Sequence, residues 1–164
     1  MKFKSKNLLV TGGAGFIGSN FIEYFLNKYN DTNVINLDLL TYAGSLNNLE
    51  HVENNSRYSF VHGDICDKKL IKNIFSEYQI DGVINFAAES HVDNSIKNPE
   101  IFIKTNIIGV YNLLQTAYKY WMDGPSIIKK GFELARFHLK WSLLIDDIQH
   151  NKISFKFKVQ FYNE

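Results

Sequence analysis

Four residues near the start of the chain have the types and spacing needed to bind a diphosphate and the sugar beside it. Gly12, Gly15 and Gly18 form the pattern G-x-x-G-x-x-G, and Asp38 follows Gly18 by twenty residues. Glycine permits positive φ in a tight turn and lets a diphosphate approach the backbone without a Cβ in the way. A carboxylate placed like that of Asp38 can accept hydrogen bonds from ribose hydroxyls. Together these residues predict a dinucleotide site.

The residues after Asp38 indicate which dinucleotide is bound. A carboxylate at this position repels a 2′-phosphate, and Leu39 and Leu40 follow it where a basic residue would be needed to hold one. The sequence therefore favours NAD over NADP. An alternative role for Asp38, as a turn residue that ends a strand, stays open.

The elements around the glycines support this interpretation. The apolar run at 7–11 predicts a strand, and helical spacing of apolar residues predicts a helix over 18–29. Further strands are expected at 34–40, 57–65 and 81–88, with helices at 67–79 and from 99 to about 121. Apolar strands that alternate with helices predict an α/β fold with a doubly wound parallel sheet and right-handed crossovers. The first helix would then start at the glycines and offer its free N–H groups to a phosphate.

Composition excludes several classes of function. The chain has 164 residues, enough for about one domain. Its 18 Lys and Arg nearly balance its 17 Asp and Glu, so no strong field is expected to attract nucleic acid or an anionic membrane. Neither a span of ~20 apolar residues nor the apolar core of a signal peptide is found. With a single cysteine in addition, we expect a cytoplasmic protein.

Three residues near the end of the third predicted strand have more than one interpretation. Asp64 either contacts adenine or caps the helix that starts near Asp67, and the spacing does not separate these roles. Cys66 is interpreted as a small packing residue, because no neighbouring pattern marks it as an activated thiol. His62 and Cys66 form half of a metal-binding pattern, but no second pair completes it, so no metal site is predicted.

Four further segments carry a resemblance to a known family. They are "DLLTYAGSLNNL" at 38–49, "GDICD" at 63–67, "FAAESHVDNSI" at 86–96 and "TNIIGVYNLLQTA" at 105–117. Through them the chain, from about Lys6 to His138, resembles the dTDP-glucose 4,6-dehydratase family of the extended short-chain dehydrogenase/reductase superfamily. The motifs "LTYAG" and "AAESHVD" are more specific than the glycine loop, since related epimerases usually differ at both.

This resemblance implies an activity. Hydride passes from C4 of the glucose in dTDP-glucose to NAD⁺, water leaves across C5 and C6, and the same hydride returns to C6. The resemblance also implies a homodimer joined through helices, including the one near 99–121. The partner helix with Tyr-x-x-x-Lys is missing from this sequence, which argues against dimerisation by that route.

The resemblance assigns individual positions to the ligands. It places Phe16 and Ile17 at the pyrophosphate, Asp38, Leu39, Leu40 and Thr41 at the adenosine ribose, Asp64 and Ile65 at the adenine, Phe86, Ala87 and Ala88 beneath the cofactor, and Thr105 against it. Ser90 would contact the sugar nucleotide. At Asn94 the family commonly has Arg, so a charge contact from this position is not expected.

The residues that the family uses for chemistry are absent. In the family, Thr-Asp-Glu follows a segment that matches here only through "ARFH" at 135–138. Asp146 and Asp147 lie several residues too late to replace it. Tyr24 and Lys28 have Tyr-x-x-x-Lys spacing, but they lie on the first predicted helix, away from the expected nicotinamide position. We therefore predict no catalytic residue in this chain.

These observations divide the chain in two. We expect an incomplete NAD-binding Rossmann-like domain over 1–138 and a divergent, strand-rich tail over 139–164, with alternating apolar residues at 153–161. The hypothesis is a truncated or frame-shifted dehydratase that is inactive. Two alternatives stay open: a catalytically dead dinucleotide-binding or interaction module, and a fragment of a nucleotide-sugar epimerase.

Overall fold

A parallel sheet lies at the centre of the computed structural model, which describes residues 5–122, with the backbone alone at Asn94. Its strands are β1 (Asn7–Thr11), β2 (Asn33–Asp38), β3 (Tyr58–His62) and β4 (Gly82–Asn85). Their order is β3-β2-β1-β4, and every described pair is parallel. The strands β2 and β3 thus lie on one side of β1, and β4 lies on the other. This architecture confirms the predicted fold class.

The register places the ends of the strands at one edge. Thr11 at the end of β1 is the partner of Leu37 in β2 and of Asn85 in β4. Asp38 ends β2 opposite His62. The point where the strand order reverses lies between β1 and β4, and ligands of open α/β sheets bind at such a point, beyond the carboxyl ends of the strands.

Helices cover both faces of the sheet. They are α1 (Phe16–Lys28), α2 (Lys68–Glu77), α3 (Val92–Lys97), α4 (Pro99–Phe102) and α5 (Val110–Met122), with a 3-10 turn at Leu46–Leu49 and a π-helical turn at Ile103–Gly109 between α4 and α5. None of the helices in the described part of the chain is long and apolar enough to cross a membrane.

The first layer of the core lies between α1 and the sheet. Leu8 and Val10 of β1 pack in one cluster with Ile22, Phe25 and Leu26 of α1. Each of these five side chains is buried. The helix repeats its apolar residues every three to four positions, and alternate residues of the strand point to the same face of the sheet. Burial of each such side chain stabilises the fold by roughly 1.5–3 kcal/mol.

The second layer lies between the opposite face of the sheet and the pair α2 and α5. Phe75 of α2 is fully buried, and its ring centroid lies 6.0 Å from that of Trp121 in α5. The indole Nε1 of Trp121 donates to the backbone carbonyl of Ile80 at 2.8 Å. This bond holds the end of α5 to the segment that enters β4.

The structure corrects several predicted boundaries. Helix α1 begins at Phe16 rather than at 18, and the strands end at Asp38, His62 and Asn85 rather than at 40, 65 and 88. The last residue of β2 that pairs with β3 is Asp38, so the apolar residues after it lie outside the sheet. Leu40 has a φ of 54°, which is not a strand conformation. Helix α3 was not predicted, because "SHVDNSI" has too little apolar periodicity to indicate a helix.

The predicted tail lies outside the described residues. This applies to the domain boundary at 138, to the strand expected at 153–161, and to Asp146 and Asp147. These points therefore stay predictions.

Candidate functional site

A groove of about 180 Å³ opens where β1, β2 and β4 end, beside the glycine loop. Most of the predicted site residues line it: Gly12, Gly15, Asp38, Leu39, Thr41, Asp64, Ile65, Phe86, Ala87, Ala88 and Thr105. They come from segments up to ninety-three residues apart in the chain, from Gly12 to Thr105. The parallel sheet brings them together because it aligns the carboxyl ends of its strands.

Two of the loop glycines are required by the protein itself. Gly12 has a φ of 69°, and a Cβ built on it would lie 2.4 Å from the backbone nitrogen of Ala87. A Cβ on Gly18 would lie 2.3 Å from the carbonyl oxygen of Gly12. These glycines let the start of α1 pack directly against the ends of β1 and β4.

Gly15 differs from its neighbours. It is the N-cap residue of α1, with an ordinary φ of −75° and ψ of 170°. A Cβ at Gly15 would make only van der Waals contact, with the carbonyl oxygen of Gly12 as its nearest atom at 3.4 Å. Neither backbone conformation nor packing thus requires glycine here. Because glycine has no capping side chain, the N–H groups of the first turn of α1 are left for another partner.

Asp38 joins the two loops at the groove. It is 8% exposed, and its Oδ2 accepts from the amide of Ala14 while its Oδ1 accepts from the amide of Leu40, both at 2.8 Å. A carboxylate offers about four acceptor sites, so both oxygens keep one for a ligand. The two roles considered for Asp38, turn residue and ribose acceptor, are therefore compatible.

The segment after β2 folds over the glycine loop. The amide of Ser45 and the Nδ2 of Asn48 both donate to the carbonyl of Ala14, at 3.0 and 2.9 Å. A Cβ at Gly44 would lie 2.9 Å from Oδ1 of Asp38. The "LTYAG" motif thus forms one wall of the groove.

The structure assigns the cap of α2 to Asp67 rather than to Asp64. The Oδ1 of Asp67 accepts from the amides of Lys69 and Leu70 at 2.9 and 3.0 Å. Oδ1 of Asp64 instead accepts from the amide of Cys66 at 2.8 Å, and its Oδ2 lies 3.7 Å from Nζ of Lys104. Asp64 thus shapes the turn and stays on the groove wall. Its contact with adenine remains a prediction.

The Cys66 thiol is held in its neutral form. Burial, followed by the hydrogen bond and negative charge of Asp64, raises the pKa of Cys66 to about 11. Its Sγ donates to the carbonyl of Lys104 at 3.2 Å. A thiol with such a pKa is a weak nucleophile at neutral pH, which agrees with a packing role.

The segment after β4 forms the floor of the groove. The amide of Phe86 donates to the carbonyl of Thr11 at 2.8 Å, and the small residues Ala87 and Ala88 follow. Glu89 is then fixed by Asn106, which accepts from its amide and donates to its carbonyl, each at 2.8 Å. The floor is therefore held between β1 and the π-helical turn.

Lys104 and Glu89 also line the groove, and sequence reasoning missed both. Lys104 reaches it from the π-helical turn Ile103–Gly109. Such turns are frequent at functional sites, but regular helical periodicity does not predict them. The position of Glu89 inside "AAESHVD" was the available signal.

Five predicted ligand residues do not line the groove. Phe16 and Ile17 have exposed side chains, 82% and 47%, at the start of α1. Gly18 is buried beneath the loop, Leu40 lies in the turn after β2, and Ser90 lies exposed beyond the floor. The side chain of Asn94 lies outside what the structure describes.

Tyr24 and Lys28 lie away from the groove. They are exposed in the second half of α1, where Nζ of Lys28 donates to the hydroxyl of Tyr24. That hydrogen bond, followed by the charge interaction with Tyr24, raises the pKa of Lys28. The pair is thus a local contact on the helix surface. Within residues 5–122, no three His, Cys, Asp or Glu side chains are grouped so that they could hold a metal ion.

Comparison with known proteins agrees with this geometry. Residues 9–136 match the family model described as GDP-mannose 4,6 dehydratase. Over 143 residues, the chain is 53% identical to a dTDP-glucose 4,6-dehydratase of Escherichia coli, covering 87% of this chain and 39% of that protein. The crystal structure of DesIV, a dTDP-glucose 4,6-dehydratase of Streptomyces venezuelae with NAD bound, is 48% identical with a TM-score of 0.64. That match covers 69% of this chain and 36% of DesIV.

An epimerase is also similar, at lower identity. The UDP-glucose 4-epimerase of Thermotoga maritima is 38% identical with a TM-score of 0.61, over 70% of this chain and 34% of the epimerase. The chain spans about two fifths of the length of the curated dehydratases that it matches. The higher identities to dehydratases confirm the resemblance seen in the sequence. The chain belongs to the GDP-mannose 4,6-dehydratase family, and its relatives include the dTDP-glucose 4,6-dehydratases.

Proposed function

We propose that the groove binds NAD and that this chain carries the cofactor-binding part of a dTDP-glucose 4,6-dehydratase. One observation carries the proposal: Gly15 lines the groove at the start of α1, yet the protein's own conformation and packing would accept a side chain there. A ligand that contacts the backbone explains the glycine. A diphosphate fits, because a helix N-terminus offers free N–H groups and about half a positive charge.

The ribose side of the groove supports NAD rather than NADP. The free acceptor sites of Asp38 suit two ribose hydroxyls, and its charge opposes a 2′-phosphate. Lys104 is the single cation among the described lining residues, and it lies 3.7 Å from the carboxylate of Asp64. A 2′-phosphate would therefore meet two carboxylates and one cation that already has a partner.

The floor suits the remaining half of a dinucleotide. Phe86, Ala87 and Ala88 present backbone and small side chains at the carboxyl end of β4. In the family reaction, bound NAD would supply a hydride acceptor that is regenerated within each turnover. We propose that the substrate of the family reaction is dTDP-glucose, which is oxidised at C4, loses water across C5 and C6, and regains the hydride at C6. Ser90 would contact this sugar nucleotide.

We propose no acid or base for this reaction among the described residues. The 164-residue sequence contains no Thr-Asp-Glu, and its Tyr24–Lys28 pair is exposed on α1. We therefore propose that this chain binds the cofactor without turnover, as a cytoplasmic protein. Over similar shares of the chain, its identity of 48% to the dehydratase DesIV, against 38% to the epimerase, favours the dehydratase over the epimerase alternative. The mass of the purified chain in solution tests whether two copies associate.

Calorimetry with the full chain and two matched variants tests cofactor binding. Gly15→Val pushes methyl groups toward the diphosphate, so NAD binding should be lost. Glu23→Val places the same side chain on an exposed position of α1, and NAD binding should persist. Equal NAD affinity in Gly15→Val and the unchanged chain would contradict the assignment of the glycine loop. Formation of the 4-keto-6-deoxy sugar by the purified chain would contradict the proposed lack of turnover.

A further inference from the structure

A second cavity lies between α2 and α5, and it shares no lining residue with the groove. Its volume is about 300 Å³. This is at the lower end of the range of ligand sites, roughly 300–1,000 Å³. The cavity therefore has room for a small ligand.

Positive charge surrounds this cavity. Lys68 and Lys72 face it from successive turns of α2, and Lys119 faces it from α5. None of the described residues that line the cavity is acidic. Lys68 contacts a neutral group: its Nζ lies 3.4 Å from Oε1 of Gln115. With a net charge of only +1 for the whole chain, this is a local concentration of cations.

A buried hydroxyl at the cavity lacks a hydrogen-bond partner. Thr116 lines the cavity, is 5% exposed, and its Oγ1 has no partner among the described residues. An unmade hydrogen bond of a buried polar group destabilises a protein, so such groups are normally satisfied. The oxygen atom is itself buried, so Thr116 leaves an unsatisfied hydroxyl behind the cavity wall rather than at its surface.

The floor of the cavity is apolar. The rings of Phe75 and Tyr120 meet edge to face with centroids 5.6 Å apart. Phe75 is fully buried, and Tyr120 is half-buried. The cavity thus combines an aromatic floor with a cationic rim.

We propose that this cavity binds a small phosphate ester. The phosphate would lie among the exposed ammonium groups of Lys68, Lys72 and Lys119, while the organic group would pack on the accessible part of the Tyr120 ring. Ammonium groups and phosphate oxygens form charge-assisted hydrogen bonds, which are stronger than neutral ones. The site is independent of the NAD proposal, because it lies on the two helices rather than at the strand ends.

Nuclear magnetic resonance of the ¹⁵N-labelled full chain tests this, with phenyl phosphate as the probe. We expect the amide resonances of residues 68–76 and 115–120 to change their chemical shifts in a saturable way as the probe is added. These changes should be separate from any at residues 12–17. The double variant Lys72→Gln and Lys119→Gln should weaken this binding by about tenfold or more. Inorganic phosphate, which has no ring, should bind more weakly than phenyl phosphate. The spectrum of each variant without probe shows whether the fold is retained.

A charge-matched control separates a built site from general attraction. Lys69→Gln and Lys97→Gln remove the same two charges from exposed positions that do not line the cavity. Phenyl phosphate binding should stay within about twofold of the original. The proposal would be overturned by equal weakening in both double variants. Chemical-shift changes that do not saturate would also overturn it, as would changes confined to the glycine loop.

Discussion

The carboxylate of Asp38 accepts a hydrogen bond from the backbone amide of Ala14 at 2.8 Å, so the end of β2 holds the glycine loop that follows β1. Its other oxygen accepts from the amide of Leu40 at the same distance. Leu40 has a positive φ, and the hydrogen bond from its backbone amide to Asp38 helps hold that turn. One buried carboxylate thus sets the shape of two groove walls.

Asp38→Asn should destabilise the chain even without a ligand. An amide NH₂ cannot accept a hydrogen bond, so in either orientation of Asn one of the two backbone donors loses its acceptor. We expect a decrease of about 1–3 kcal/mol in the free energy of unfolding, measured by urea titration. Asp31→Asn, at an exposed turn, is the control and should change it by under ~0.5 kcal/mol. Equal stability of both variants would contradict the role given to Asp38.

The loop glycines should respond differently to alanine. Gly12→Ala places a Cβ on a residue with a φ of 69° and against the backbone of Ala87. We therefore expect the free energy of unfolding to fall by more than ~1–2 kcal/mol. Gly15→Ala makes no such contact. Its free energy of unfolding should fall by under ~1 kcal/mol, because alanine is a poorer N-cap residue than glycine. Thermal unfolding of the two variants measures the difference. The reverse order of stabilities would show that the loop has another conformation.

Arg57→Lys should destabilise the chain although the charge is kept. The guanidinium of Arg57 donates to the carbonyls of Leu26, Tyr29 and Thr32, joining the end of α1 to the start of β2. A single ammonium cannot reproduce this forked geometry. We expect a loss of about 1–3 kcal/mol in urea unfolding. A lysine variant as stable as the original would show that the charge near the helix end is sufficient.

The Cys66 thiol should react slowly in the folded chain. Its pKa of about 11, against an ordinary 9.0, leaves about a hundredfold less thiolate at pH 8. The rate of alkylation by iodoacetamide should therefore be about a hundredfold lower in the folded chain than in urea, and it should rise until pH 11. Equal rates at pH 8 in both states would contradict the raised pKa.

The same shift predicts how stability depends on pH. Because the folded pKa of Cys66 lies above its unfolded value, the neutral thiol is favoured by folding. This contribution is fully present below pH 9 and is lost as the pH rises through about 11. Cys66→Ser should reduce this part of the pH dependence between pH 9 and 11, measured by urea unfolding at several pH values. An unchanged dependence would assign the effect to other groups.

Sequence patterns located the elements but not their ends. The apolar run at 7–11 and the glycines after it are features of adjacent residues, so β1 and the loop could be predicted. Leu39 and Leu40 are as apolar as the strand before them, and only the pairing of Asp38 with His62 shows where β2 ends. The spacing left Asp64 with two possible roles, adenine contact or helix cap, and the hydrogen bonds at the start of α2 give the cap to Asp67.

The sequence by itself determined the parallel α/β fold, the glycine loop and the carboxylate after the second strand, because spacing along the chain expresses each of them. The tertiary structure alone distinguished Gly15 from Gly12, since the difference depends on how near Ala87 lies. It alone placed Lys104 in the groove and three lysines around one cavity. These facts depend on contacts between distant segments, which local residue patterns do not encode.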